Sequence, residues 1–191
     1  MKILTTIRSA AIAPQRWRNG GGWTRELLTW PAVDRPWQAR ISVATIDAPG
    51  PFSVFPGVRR ACAVIEGSGL LLNVNGREQR LTSTSPPLFF AGTDTVHATP
   101  LAGPTTDLNL MTLGGTGELR RAQAGIPWYS PCEQRGIYVG ADGALSAGSA
   151  ATQPVAAGTL VWFADAAGVA LAFTPSGATD PVAAWWLGFA I

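Results

Sequence analysis

Apolar residues along this chain come in short runs, and glycine or proline interrupts them every few positions. Runs of four to eight apolar or alternating residues bounded by turn formers read as β-strands. The pattern predicts strands at 38–46, 62–66, 70–74, 88–90, 96–99 and 107–112, and again at 137–139, 159–163, 169–174 and 183–189. Two strands alternate clearly. Strict alternation in QARISVATI puts Arg40, Ser42 and Ala44 on one face and Ile41, Val43 and Thr45 on the other. In DLNLM, Asp107, Asn109 and Met111 share a face, with Leu108 and Leu110 opposite. The strand 62–66, a Gly-Ser-Gly turn, the strand LLLNV and Asn75-Gly76 predict consecutive hairpins. Only GGTGELRRAQAG, from Gly114 to Gly125, has the composition for a short helix. The expected class is therefore all-β, with two small antiparallel barrels or sandwiches and little helix.

The expectation of two units comes from an internal similarity. PLFFAGTDTVHATPLAGPTTDLNLMTL, starting at Pro87, aligns with LVWFADAAGVALAFTPSGATDPVAAWWLGF, starting at Leu160. Phe90-Ala91 falls on Phe163-Ala164 and Val96 on Val169, and each segment then passes a Pro/Gly turn into an apolar strand. The implied units are residues 1–115 and 116–191. His97 falls on Ala170, so the second unit lacks the chain's single histidine.

Composition narrows the function classes. The chain has 191 residues, 47% hydrophobic and 14% charged, which suits a packed fold rather than a disordered one. A net charge of +2 points to neither nucleic acid nor an anionic membrane as partner. The N-terminal apolar run is too short for a secretion signal, and no stretch is long enough for a membrane helix. Two isolated cysteines, Cys62 and Cys132, make neither a disulfide framework nor a metal knuckle, so a cytoplasmic, reduced protein is expected. One histidine cannot build the clustered ligand set of a metal-binding β-barrel, and no cofactor or metal is expected.

The stretch RWRNGGGWTREL, from Arg16 to Leu27, carries the densest chemistry. It has no lysine for a P-loop and no GxGxxG spacing for a dinucleotide site. Consecutive glycines allow close backbone approach, either of a ligand to exposed N–H groups or of a neighbouring strand in a packing bulge. Both readings stand at this point, with Asn19 offering donor and acceptor beside the run. Arg40 is either a surface residue or an anion anchor, and Asn109 and Met111 line a cavity only if the barrel interior is polar.

Taken together, WRNGGGWTREL, RISVATIDAPGPFSVFPGVRRACAVIEGSGLLLNVNG and DLNLMTLGG resemble the HutD/Ves family across 14–115. Arg18 stands where that family commonly has lysine, a charge-conserving departure. The resemblance implies a cupin-type fold of two barrels and an association with histidine utilisation, through binding of a pathway metabolite such as formiminoglutamate or through regulation. It also implies a link to stress for the Ves members, and no established reaction. On this resemblance the ligand-binding residues are Asn19, Gly20, Gly21, Gly22, Arg25, Arg40, Ser42, Arg60, His97, Asn109 and Met111.

The resulting expectation is a metal-free, bicupin-like protein that binds a small acidic metabolite of histidine degradation, formiminoglutamate- or urocanate-like, in a regulatory role. The alternative is a metal-free cupin enzyme, an isomerase or hydrolase, with His97 or Glu26 as general acid/base. Trp185-Trp186 near the C-terminus either cap the second barrel, the preferred reading, or make the surface of a homodimer.

Overall fold

The computed structural model describes residues 2–31, 36–164, 166–177 and 183–190. The strands in chain order are β1 Lys2–Arg8, β2 Gln15–Arg16, β3 Gly22–Trp30, β4 Ala39–Ile46, β5 Gly50–Pro51, β6 Val58–Glu66, β7 Leu70–Val74, β8 Arg77–Leu81 and β9 Leu88–Ala91. They continue with β10 Val96–Pro100, β11 Thr105–Leu113, β12 Thr116–Arg121, β13 Gln134–Val139, β14 Gly143–Ala147, β15 Gln153–Val155, β16 Thr159–Ala164, β17 Leu171–Pro175 and β18 Ala184–Ala190. A single 3-10 turn, Ser9–Ala11, is the only helical element among the described residues. The fold is all-β and antiparallel. The Pro/Gly turn that the repeat places before the last strand falls largely on residues 178–182, outside the described ones.

Two compact units form, Ile12–Gly117 and Met1–Ala11 with Glu118–Ile191. The sequence places residues 1–11 with the first unit. In the structure β1 instead pairs with β16, which puts those residues with the second.

The unit 12–117 has a six-stranded sheet, β2-β3-β4-β11-β6-β9, and a four-stranded sheet, β5-β10-β7-β8. Ile46, Cys62, Val64 and Phe90 from the first sheet join Leu70, Leu72, Leu81, Val96 and Ala98 from the second in one apolar cluster. The other unit has a five-stranded sheet, β1-β16-β13-β18-β12, and a three-stranded sheet, β15-β14-β17, in which the order β16-β13-β18-β12 parallels β9-β6-β11-β4. Its interior is filled by aromatic rings, with Trp128 stacked on Trp186 at 5.2 Å and Phe163 and Phe173 fully packed. Register repeats as well. Arg60 lies opposite Phe90 in the β6–β9 pair, and Arg135 lies opposite Phe163 in the β13–β16 pair.

Two expectations change. The Gly114–Gly125 segment is strand β12, not a helix. Gly114 and Gly115 at φ 67° and 138° turn the chain out of β11, and Leu119 is then buried beside β18, so strand pairing overrides the helical propensity of ELRRAQA. Asn75-Gly76, at φ 52° and 84°, does close a β7–β8 hairpin. The Gly67-Ser68-Gly69 turn does not close one, because β6 and β7 lie in different sheets.

The glycine run makes a tight loop that leads into β3. Trp17 N–H donates to the Gly22 carbonyl at 2.9 Å, Asp47 N–H to the Gly21 carbonyl at 2.9 Å, and Gly21 N–H to Asn19 Oδ1 at 3.0 Å. A Cβ on Gly22 would sit 2.4 Å from the Thr45 carbonyl oxygen and 3.2 Å from the Trp17 ring, whereas one on Gly21 meets only ordinary contacts at 3.5 Å. Gly22→Ala is therefore expected to lose about 1–3 kcal/mol of stability and Gly21→Ala only a few tenths. Thermal melts of the two variants check this; equal melting temperatures would contradict the packing account.

Candidate functional site

The three adjacent strands β4, β11 and β6 build a polar face in rungs. Asp107 lies between Ala44 and Val64, Asn109 between Ser42 and Cys62, and Met111 between Arg40 and Arg60. The period of two puts all these residues on one side of the sheet. At one end that face is apolar, with Ile46, Cys62 and Val64 in the core cluster. At the other it opens into a cavity of about 530 Å³, a volume that fits a small metabolite. The loop 15–19 and the turn 51–55 supply the remaining walls, so every lining residue belongs to the unit 12–117. Trp17 meets Phe52 edge-on at 6.1 Å, and Trp17 Nε1 donates to Thr24 Oγ1 at 2.7 Å, which holds the aromatic wall in place.

Arg60 is the most constrained charge. It is 9% exposed, and its guanidinium carbon lies 4.9, 5.8 and 5.0 Å from the ring centres of Phe52, Phe55 and Phe90. Nη1 donates to the Ser53 carbonyl at 3.2 Å, while Nε is buried without a hydrogen-bond partner. Burial lowers its pKa from the usual arginine value, with Cys62 and Asp107 opposing that shift. Arginine keeps its proton under all ordinary conditions, so the unpaired donor stays a cationic donor.

Asp107 is the buried counter-group, with no exposed surface. Cys62 Sγ donates to Oδ2 at 3.1 Å and Asn109 Nδ2 to Oδ1 at 2.7 Å. Desolvation raises its pKa to about 6, against the opposing effects of Cys62, Asn109, Arg60 and a backbone hydrogen bond at Ala44. Burial, the same carboxyl and its hydrogen bond push the Cys62 thiol well up. At the rim, Arg40 Nε donates to Glu26 Oε2 at 2.6 Å, and Arg16 lies 3.6 Å from Asp47.

Of the residues expected from sequence, the structure brings Asn19, Arg40, Ser42, Arg60, Asn109 and Met111 to this one cavity. Gly20, Gly21 and Gly22 do not line it; they shape the loop that presents Trp17 and Asn19. Arg25 is turned away, its Nε donating to the Ile12 carbonyl at 3.2 Å. His97 is exposed on β10, opposite Asn73 and Pro51, and is not part of the lining. Residues the sequence reading passed over are Asp107, Trp17, Phe52 and Phe55. The alternation of DLNLM already placed Asp107 on the Asn109 face; the aromatics sit in turns, where no periodicity announces direction. Among the described residues no group of three or more His, Cys, Asp or Glu side chains could hold a metal ion. Cys62 and Cys132 are free and buried.

The pH dependence of stability follows from Asp107. Its folded pKa, about 6, is raised above the ordinary 3.8, so the folded state holds the proton to higher pH than the unfolded chain. The stability that this proton supplies is complete below about pH 4 and is lost as pH rises through about 6. Asp107→Asn cannot ionise. The stability difference between wild type and this variant is therefore expected to fall in wild type's disfavour by about 1–3 kcal/mol between pH 4 and 7. Urea unfolding across that range measures it, and a difference that stays constant with pH would contradict the assignment.

Comparison with known proteins places the chain. The HutD family model matches residues 9–179. Protein Ves of Citrobacter koseri is 39% identical over 97 residues, covering 50% of this chain and 51% of that protein; the chain thus matches about half the length of this curated relative. Among solved structures, a conserved protein of unknown function from Pseudomonas aeruginosa PAO1 superposes with a TM-score of 0.82 at 25% identity, covering 97% of this chain and 96% of that one. HutD from Pseudomonas fluorescens SBW25, in a formate condition, superposes with a TM-score of 0.81 at 22% identity, covering 97% of each chain. The all-β architecture is the cupin-type fold of these neighbours, and the chain belongs to the HutD family.

Proposed function

We propose that the cavity of the unit 12–117 binds a small acidic metabolite of histidine degradation, formiminoglutamate- or urocanate-like, and that the protein works by binding, in a regulatory role. The observation that carries this reading is Arg60, a buried cation among the residues lining an open cavity, whose Nε has no hydrogen-bond partner. A desolvated guanidinium favours an anion strongly, and its planar fork suits a carboxylate. Arg18 adds positive charge to the lining, Arg40 being paired with Glu26, and Trp17, Phe52 and Met111 give apolar walls for a short carbon chain. Family membership supplies the metabolic context. We also read the two units as copies of one cupin-type unit, supported by the shared strand order and by the matching Arg60–Phe90 and Arg135–Phe163 pairs. A cytoplasmic location fits the two free buried thiols.

An enzymatic reading rests on Asp107, a carboxyl of pKa about 6 in the cavity lining. It displaces His97 and Glu26 as general acid/base, since His97 lies outside the cavity and Glu26 is held by Arg40. We favour binding because both Asp107 oxygens already accept hydrogen bonds from the protein.

A thermal-shift screen of formiminoglutamate, urocanate, glutamate, formate and histidine, with product analysis of each mixture, tests both. A ligand at about 100 times its Kd is expected to add about 2.7 kcal/mol of stability. Arg60→Met, which keeps an apolar stem against the three rings, is expected to melt cooperatively and to bind about tenfold to hundredfold more weakly. An unchanged affinity in Arg60→Met would refute the anion-anchor role, and a new product would favour the enzyme.

A further inference from the structure

Asn109 occupies the middle rung of the cavity face, opposite Ser42 and Cys62. A carboxamide has a donor end and an acceptor end of nearly the same shape, so its neighbours decide which end points where. Here the neighbour is Asp107, two residues earlier on the same face of β11. Its Oδ1 accepts Asn109 Nδ2–H at 2.7 Å. The amide Oδ1 is thereby the end left over, buried and without a partner. Asp107 cannot turn to relax this. Its other oxygen takes the Cys62 thiol, and a backbone hydrogen bond at Ala44 holds it as well. A carboxylate only accepts, so while Asp107 is ionised the amide has one favoured orientation.

We propose that Asp107 is a positioning residue that sets the polarity of the Asn109 amide, so that the cavity selects acids carrying a hydrogen-bond donor, such as an amide, amidine or hydroxyl, over acids of the same size that end in acceptors alone. The inference rests on the reading of the cavity as a small-acid site: Arg60 takes the anionic end, and Asn109 reads the other. A ligand that brings an N–H or O–H satisfies the orphan Oδ1. A ligand that brings only an acceptor leaves Oδ1 unpaired and sets two lone pairs against each other, the costly case for buried polar groups.

The selection depends on the charge of Asp107. The titratable and charged groups around it are Cys62 and Arg60 from β6; Arg40 of β4 lies two rungs further on, opposite Met111, and is bound to Glu26. With a proton, Asp107 offers a donor of its own. Asn109 then gains the opposite orientation, with Oδ1 toward Asp107 and Nδ2 toward the ligand. Donor preference is steepest when Asp107 is ionised, above its pKa of about 6, and fades below it.

Succinamate and monomethyl succinate make a matched pair of probes. Each has one carboxylate on the same short chain, and they differ in a terminal –NH2 against –OCH3. Isothermal titration of the full chain at about pH 7.5 is expected to show succinamate binding about tenfold or more tightly. At about pH 5 that ratio is expected to shrink toward one, as Asp107 gains its proton. In Asp107→Asn, whose own amide can donate or accept, the ratio is expected to lie near one at both pH values. The wild-type pH series keeps the test open if the variant does not fold. A wild-type ratio that is the same at both pH values, or a preference for the ester, would overturn the positioning role and leave the small-acid reading standing. Wild type binding neither probe would overturn both.

Discussion

Burying Arg60 sets the terms for the first unit. A guanidinium holds its proton, so a strand that places one among three phenylalanine rings needs compensation nearby. Compensation comes from the ring faces, from the Ser53 carbonyl and from the carboxyl of Asp107. Asp107 in turn needs donors, and takes them from Cys62, Asn109 and the backbone at Ala44. The chain of requirements ends with two unpaired atoms, Arg60 Nε and Asn109 Oδ1, on residues lining an open cavity. A cationic donor and a neutral acceptor are thus left unmatched within one unit.

The second unit shows the same position used differently. Arg135 is fully buried over the Trp128 ring at 5.2 Å; it donates to the carbonyls of Ser130 and Val169, and its Nε, like that of Arg60, is buried without a partner. Around it stand packed tryptophans rather than an open space, and the interior is a core of rings. One unit thus has an open, partly polar interior and the other a filled one. At the position opposite the residue two after the arginine, the first unit carries the amide Asn109, facing Cys62, and the second carries the indole Trp186, facing Ile137.

Much of the fold was legible because it rests on periodicity. The strand at 70–74 and the Asn75-Gly76 hairpin follow from alternation and turn chemistry, as does the shared face of Arg40 with Ser42 and of Asn109 with Met111. The features that were not legible depend on partners far along the chain. Strand β1 was not among the strands read from the apolar pattern, and its pairing with β16 reveals it. The β12 segment reads as helix until Leu119 is seen buried beside β18. Spacing alone left the glycine run even between ligand wall and packing bulge, and the family resemblance favoured the wall; the Thr45 carbonyl and Trp17 ring show that close packing requires glycine at Gly22. His97 drew notice by being the only imidazole, a chemical argument with no geometry behind it. Asp107 carries more of the site, and it went unranked because burial and hydrogen bonding, not spacing, give it its role.

The most direct test of the account is a crystal structure of the protein soaked with formiminoglutamate. The account predicts a carboxylate oxygen within hydrogen-bond reach of Arg60 Nε, with the chain of the ligand along Phe52 and Met111. A ligand held only by Arg16 and Arg18 at the mouth, with Arg60 Nε still unpaired, would contradict it.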